Sequence, residues 1–276
     1  MQDNKLFLIN PRTEFAMDML VANPPHALMI HGRQGSGKVK LARILLRRIN
    51  PQMDIQVFEA LEGKSLGIDL IREIRTYMQI KTSSNLPFRA AIITPADTMT
   101  EEAQNALLKV LEEPASGSMI LLLARNPASL LPTIISRVNV LNALPVELKA
   151  AISHYSEYDL ETVTKYYRVS SGAPELLQTL LMNLDDPILD SIAKAKTFLT
   201  STRFERLKQV EEHKAVAETL IFNLLNLVKA TLQNPRLDEK NRLRFIQLFK
   251  VLSESEKRLK DNVSKKAVLL EVALAI

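Results

Sequence analysis

Glycine is scarce in this chain, and the few glycines cluster at one place. Of the seven glycines among 276 residues, three lie within six positions, at Gly32, Gly35 and Gly37. An apolar run at residues 28–30 precedes the cluster, and residues 38–49 follow it with apolar side chains at helical spacing. A strand, a glycine loop and a helix in this order predict an α/β fold, in which helices cover a mostly parallel sheet.

The glycine loop matches a phosphate-binding pattern at all positions but the last. Residues 32–38 follow the P-loop pattern G-x-x-x-x-G-K, in which backbone N–H groups and a helix N-terminus face phosphate oxygens. The predicted phosphate-binding residues are Gly32, Gly35, Ser36, Gly37 and Lys38. The next position normally offers a hydroxyl to Mg²⁺, but here it is Val39. The segment therefore either binds ATP, ADP or phosphate without Mg²⁺, or survives only as a strand-to-helix turn.

The carboxylates that a hydrolytic P-loop protein needs are also missing. Such a protein holds Mg²⁺ through a carboxylate at the end of a neighbouring strand, and commonly uses a second one to orient the attacking water. The corresponding strand ends here in Thr94–Pro95, which offers no carboxylate. Asp97 lies beyond the strand end, and we interpret it as a turn or helix-cap residue rather than a displaced metal ligand. The sequence therefore predicts no intrinsic ATPase activity.

Composition excludes several other classes of protein. The absence of cysteine excludes a disulfide framework, a thiolate nucleophile and a cysteine-type zinc site. The four histidines never stand four residues apart, so a histidine metal site has no local support, and we expect no zinc. No apolar run approaches the roughly 20 residues that span a bilayer. A net charge of +5 permits contact with nucleic acid without requiring it. We expect a soluble cytoplasmic protein that contacts no membrane.

The pattern of apolar residues changes near residue 144. Before it, strand candidates at residues 28–30, 55–60, 90–94, 119–124 and 138–141 are interleaved with helical segments, which include residues 68–80 and 101–111. After it, every segment has helical spacing, including residues 216–232, 239–259 and 263–276. We therefore predict three domains: an α/β core with a parallel five-stranded sheet at 1–144, a small helical domain at 145–183, and an all-helical domain at 184–276.

Two motifs carry a resemblance to a known family. Residues 100–114, TEEAQNALLKVLEEP, resemble the NALLKxLEEP signature of bacterial clamp-loader AAA+ subunits. Residues 132–138, PTIISRV, are similar to the Ser-Arg-Cys motif of that family, with Val138 in place of cysteine. The resemblance implies that Arg137, with Ser136 of the same motif, reaches in trans into the ATP site of a neighbouring subunit and stabilises charge on the γ-phosphate. The alternative is an ordinary solvated or salt-bridged arginine.

The resemblance covers about residues 25–182, and residues 58–74 between the two ends are also similar to the family. It implies a P-loop AAA+ core, a helical lid and a C-terminal collar through which subunits assemble. It also favours a member that does not hydrolyse ATP, because the ATPase members carry neither Val39 nor Thr94–Pro95. Two departures stand out. The four-cysteine zinc module of many relatives is absent here, because only residues 50–54 separate the P-loop helix from the next strand and the chain has no cysteine. In the small helical domain, Glu175 stands where ATPase relatives have a nucleotide-sensing arginine.

The same resemblance implies the partners. They are clamp-loader ATPase subunits and a delta subunit in a hetero-pentamer, the sliding clamp, and primer–template DNA, all within the DNA polymerase III holoenzyme. Candidate phosphate contacts to DNA are Arg43, Arg47, Arg48, Arg72 and Arg75, although a solvated helix face also accounts for each of them. Two other functions stay open at this point: an active P-loop ATPase or phosphotransferase with unusual Mg²⁺ ligands, and a nucleotide-independent scaffold.

Overall fold

A computed structural model describes residues 7–60, 65–79, 89–182, 187–235, 237–260 and 263–276. Parts of two sequence predictions, namely residues 61–64 of the family-like segment and Ile80 at the end of a predicted helix, lie outside these residues. The chain forms two compact units. The first comprises Met1–Val146 and Ala173–Glu175, and the second comprises Glu147–Gly172 and Leu176–Ile276.

The first unit is built on a five-stranded sheet in which every neighbouring pair is parallel. Its strands are β1 (Ala27–His31), β2 (Asp54–Glu59), β3 (Arg89–Thr94), β4 (Ser118–Ala124) and β5 (Asn139–Asn142). Their order across the sheet is β2-β3-β4-β1-β5, so β1 lies between β4 and β5, with Ile30 opposite both Leu123 and Leu141. The predicted parallel five-stranded sheet is confirmed, and each strand lies within one residue of its predicted bounds.

Helices cover both faces of this sheet. They are α1 (Pro11–Ala22), α2 (Lys38–Ile49), α3 (Ile68–Gln79), α4 (Glu101–Glu112) and the short α5 (Pro132–Ile135), with 3₁₀ turns at Ala96–Thr98 and Pro127–Ser129. Alternate residues of a strand face opposite sides. Leu28 and Ile30 therefore join the apolar cluster that includes α1 and α2, whereas Ala27 and Met29 join the cluster of α3 and α4.

Helix α1 was not predicted from the sequence, although a local signal for it exists. Asn10 caps the helix with its side chain, and Pro11 occupies the first turn, where its missing N–H costs no hydrogen bond. From α1, the hydroxyl of Thr13 donates to the carbonyl oxygen of Asn142 at 2.8 Å and accepts from the backbone N–H of Leu144 at 3.1 Å. The helix thus holds the end of β5 in place.

The described part of the second unit is helical, as predicted. The helices after β5 are α6 (Leu148–His154), α7 (Leu160–Ser170), α8 (Pro174–Met182), α9 (Pro187–Thr200), α10 (Arg203–His213), α11 (Ala217–Leu232), α12 (Glu239–Lys260) and α13 (Lys265–Ala275). The buried helix α11 packs against α7, α9 and α12. Asp238 caps α12 by accepting from the N–H of Asn241 at 2.9 Å. The division of this region at residue 183 stays a prediction.

One helical run, Arg203–Leu232, is long and apolar enough by length and composition to cross a membrane. Its most apolar window has a mean hydropathy of 1.4, and half of that window is buried inside the protein. The run comprises α10, a 3₁₀ turn and α11. Burial of this kind is typical of the core helix of a globular domain.

Candidate functional site

The glycine loop joins β1 to α2 at the carboxyl end of the sheet. Gly35 and Gly37 have φ values of 74° and 75°, a left-handed conformation that glycine adopts without steric cost. Gly37 is also the N-cap residue of α2. The backbone therefore has the strand-loop-helix form that the P-loop pattern predicts.

Close packing accounts for two of these glycines without any ligand. A Cβ atom on Gly32 would lie 2.9 Å from the carbonyl oxygen of Ala143. A Cβ atom on Gly37 would lie 2.2 Å from the ring of Phe7, whose side chain is buried against the loop. The glycine pattern alone therefore does not distinguish a phosphate-binding loop from a structural turn.

Lys38 is held by the loop itself. Its ammonium group donates to the carbonyl oxygens of Gly32 at 2.9 Å and Arg33 at 3.0 Å. Burial, and next the positive charge of Arg125, lower the pKa of Lys38 from 10.5 to about 8, although Asp97 and Glu175 act in the opposite direction. The Lys38 ammonium thus faces loop carbonyl oxygens, and it loses its proton at a lower pH than an exposed lysine does.

Glu175 brings a negative charge to the same loop. Its backbone N–H donates to the carbonyl oxygen of Gly35 at 2.9 Å, and its carboxylate lies 3.5 Å from the ammonium of Lys40. A carboxylate at this place disfavours a phosphate group by like-charge repulsion. Glu175, which in the sequence departs from the ATPase relatives, lies beside the loop in the structure.

The residues around the loop do not fit a Mg²⁺ ion. Val39 has no oxygen in its side chain, and Thr94 ends β3 without a charge. Asp97 uses Oδ2 to accept from the backbone N–H groups of Arg125 and Asn126, both at 3.2 Å. Asp97 therefore stabilises the turn after β4, which supports its interpretation as a turn residue. Nowhere in the described ranges do three or more histidine, aspartate or glutamate side chains form a group that could hold a metal.

Several polar atoms near the loop are nevertheless buried without a hydrogen-bond partner among the described residues. They are His31 Nδ1, Gln34 Oε1, Ser36 Oγ and Asp97 Oδ1. Buried polar atoms are usually paired with protein groups or with ordered water, so these four atoms favour a polar group or water at the carboxyl end of the sheet. They supply no means of hydrolysis.

Arg137 lies on the surface just after α5. Its Nη1 donates to the carbonyl oxygen of Thr133 at 3.0 Å and to the hydroxyl of Ser136 at 3.4 Å. Its Nη2 donates to Glu112 at 2.8 Å, and 38% of its side chain is exposed. The guanidinium is therefore both accessible and oriented. No signal in the sequence predicted the contact with Glu112, because the two residues stand 25 positions apart in different motifs.

Three of the candidate DNA-binding arginines make contacts within the protein. Arg47 donates to the carbonyl oxygens of Pro51 and Met53 after α2. Arg48 bridges two carboxylates of α1, and Arg72 pairs with Asp69 one turn away. These contacts support the interpretation of a solvated, salt-bridged surface for Arg48 and Arg72, and a structural role for Arg47.

The first unit is similar to proteins that are named for DNA replication. A family model described as "DNA polymerase III, delta subunit" matches residues 13–147. The chain is 28% identical over 160 residues to a replication factor C small subunit of Staphylothermus marinus, covering 54% of this chain and 48% of that protein. It is 33% identical over 145 residues to the DNA polymerase III subunit delta' of Haemophilus influenzae, covering 52% of this chain and 41% of that protein. The chain thus spans about half the length of these curated relatives.

A solved structure resembles the whole fold. A DNA polymerase III gamma subunit-related protein of Thermotoga maritima superposes with a TM-score of 0.53 at 18% identity, covering 95% of this chain and 97% of that chain. At this identity the likeness shows the fold alone. It supports the combination of a five-stranded parallel sheet with a helical C-terminal region.

Proposed function

Because the chain belongs to the clamp-loader AAA+ family, we propose that it is a non-catalytic, delta prime-type subunit of the DNA polymerase III clamp loader. In this role it assembles in the cytoplasm with ATPase subunits and a delta subunit as a hetero-pentamer. The assembly loads the sliding clamp onto primed DNA. The chain contributes Arg137, in trans, to the ATP site of a neighbouring ATPase subunit.

The proposal rests on a contrast between the P-loop of this chain and Arg137. The chain's own P-loop has lost its Mg²⁺ ligands, yet Arg137 stands oriented and accessible on the surface of the same unit. A guanidinium can stabilise γ-phosphate charge without any other catalytic group of its own chain. The arginine can therefore serve a neighbour even though the chain's own loop cannot support hydrolysis.

The purified chain is expected to hydrolyse ATP no faster than background. Val39 provides no oxygen ligand for Mg²⁺, Thr94 provides no carboxylate, and Oδ2 of Asp97 is engaged by two backbone N–H groups. The measurement is steady-state phosphate release with Mg²⁺, for wild type and for Lys38→Ala. Turnover that disappears in Lys38→Ala would support the alternative of an active P-loop ATPase and contradict the proposal.

Reconstitution tests the function itself. Mixed with the ATPase subunits, the delta subunit, the clamp and primed DNA, the chain should co-elute in one complex, and clamp loading should depend on its presence. The control is the same mixture without this chain. Loading at the same rate in that control would contradict a role in the clamp loader.

A further inference from the structure

Glu112 and Arg137 join two sequence motifs in one ion pair. Glu112 is the last residue of α4, and Arg137 follows α5. We propose that Glu112 is a positioning residue, which orients the guanidinium of Arg137 for the phosphate of the neighbouring ATP site. This inference rests on the proposed function, and it adds a role for a residue that contacts no nucleotide.

The contacts of Arg137 fix the plane of its guanidinium from two sides. Thr133 and Ser136 accept from Nη1, and Glu112 accepts from Nη2. A guanidinium carries five N–H donors, so these three contacts leave donors for a phosphate. Without Glu112 the group would be held only through Nη1 and could rotate about its long side chain. The carboxylate therefore restricts the orientations that Arg137 presents to a partner.

Helix stability does not explain the place of Glu112. The C-terminal end of a helix carries a partial negative charge, so a carboxylate in the last turn is unfavourable, whereas Lys109 in that turn is favourable. The pair with Arg137 is also half exposed, with 51% of the Glu112 side chain accessible, and such surface pairs contribute little to stability. Orientation of the arginine accounts for the carboxylate better than stability does.

The chain offers a matched control in the next residue. Glu113 has the same charge and is exposed, and in the described part of the chain no hydrogen bond or ion pair joins it to Arg137. Glu113→Ala therefore removes the same charge from the same motif without touching the guanidinium. Glu112→Gln provides a second control, because an amide oxygen can still accept from Nη2.

The test uses complexes reconstituted with each variant and confirmed as fully assembled by co-elution. DNA- and clamp-stimulated ATP hydrolysis is measured over a range of ATP concentrations. We expect Glu112→Ala to lower kcat at the served site by about tenfold with the KM for ATP unchanged, because misplacement of a positioned group is costly. Glu112→Gln should keep most of the rate, and Glu113→Ala should match wild type.

The double variant separates this inference from the proposed function. In an Arg137→Ala background, Glu112→Ala should have no further effect, since it acts only through the arginine. If Arg137→Ala lowers hydrolysis and Glu112→Ala does not, the inference fails and the proposed function stands. A rise in rate with Glu112→Ala would also overturn the inference, because the carboxylate would then restrain the arginine instead of presenting it. Unchanged hydrolysis in Arg137→Ala would refute the inference and would remove the arginine from the proposed function, while the reconstitution test would still decide the role in clamp loading.

Discussion

Replacing Arg137 by alanine should lower ATP hydrolysis at the neighbouring site by about 10³-fold or more, because an arginine supplied in trans to a phosphoryl-transfer site contributes about 10³ to 10⁵ in rate. Folding and assembly should stay nearly intact, since the side chain is exposed and its pair with Glu112 is a surface contact. The measurement is DNA- and clamp-stimulated hydrolysis, together with clamp loading, in complexes reconstituted with each variant. The effect on the whole complex is smaller if other sites keep their own arginines.

Two further variants sharpen this result. Arg137→Lys should not restore the rate, because an ammonium lacks the planar fork that binds two phosphate oxygens. Arg12→Ala removes an exposed arginine from α1 of the same unit and should leave hydrolysis unchanged. Equal rates for wild type and Arg137→Ala, in complexes shown to be fully assembled, would leave this protein as a scaffold alone.

Replacing Gly37 by alanine should destabilise the first unit by about 2–5 kcal/mol. The left-handed backbone at this residue costs an L-residue roughly 1–2 kcal/mol, and the new Cβ would meet the buried Phe7 ring at 2.2 Å, a form of overpacking that costs about 1–3 kcal/mol. Thermal and denaturant unfolding measure the loss. No phosphate needs to be present for the effect, because both causes lie within the protein.

Two controls separate these causes. Gly67→Ala should change stability little, because a Cβ there would meet no atom within 4 Å and the backbone is not left-handed. In Phe7→Ala the clash is absent, so adding Gly37→Ala to that variant should cost only the backbone strain. An equal cost of Gly37→Ala in both backgrounds would contradict the role given to Phe7.

Local patterns predicted most of the first unit. Apolar runs bounded by turns located all five strands, and helical spacing located α2, α3 and α4. The helix α1 was not predicted, although Asn10 and Pro11 together are a helix start. Of the predicted site, the loop backbone and the missing Mg²⁺ ligands were accessible from sequence, because both depend on which residues occupy a few positions that are close together in the chain or at the end of a strand.

The sequence by itself determined which metal-binding groups this chain lacks. The side chain of Val39 holds no oxygen in any fold, and no arrangement of a chain without cysteine creates a thiolate zinc site. Only the tertiary structure decided which groups meet. Phe7 lies on Gly37, and Glu112 pairs with Arg137 across 25 residues. Such contacts depend on strand order, helix packing and side-chain direction together, and no local period in the sequence specifies all three.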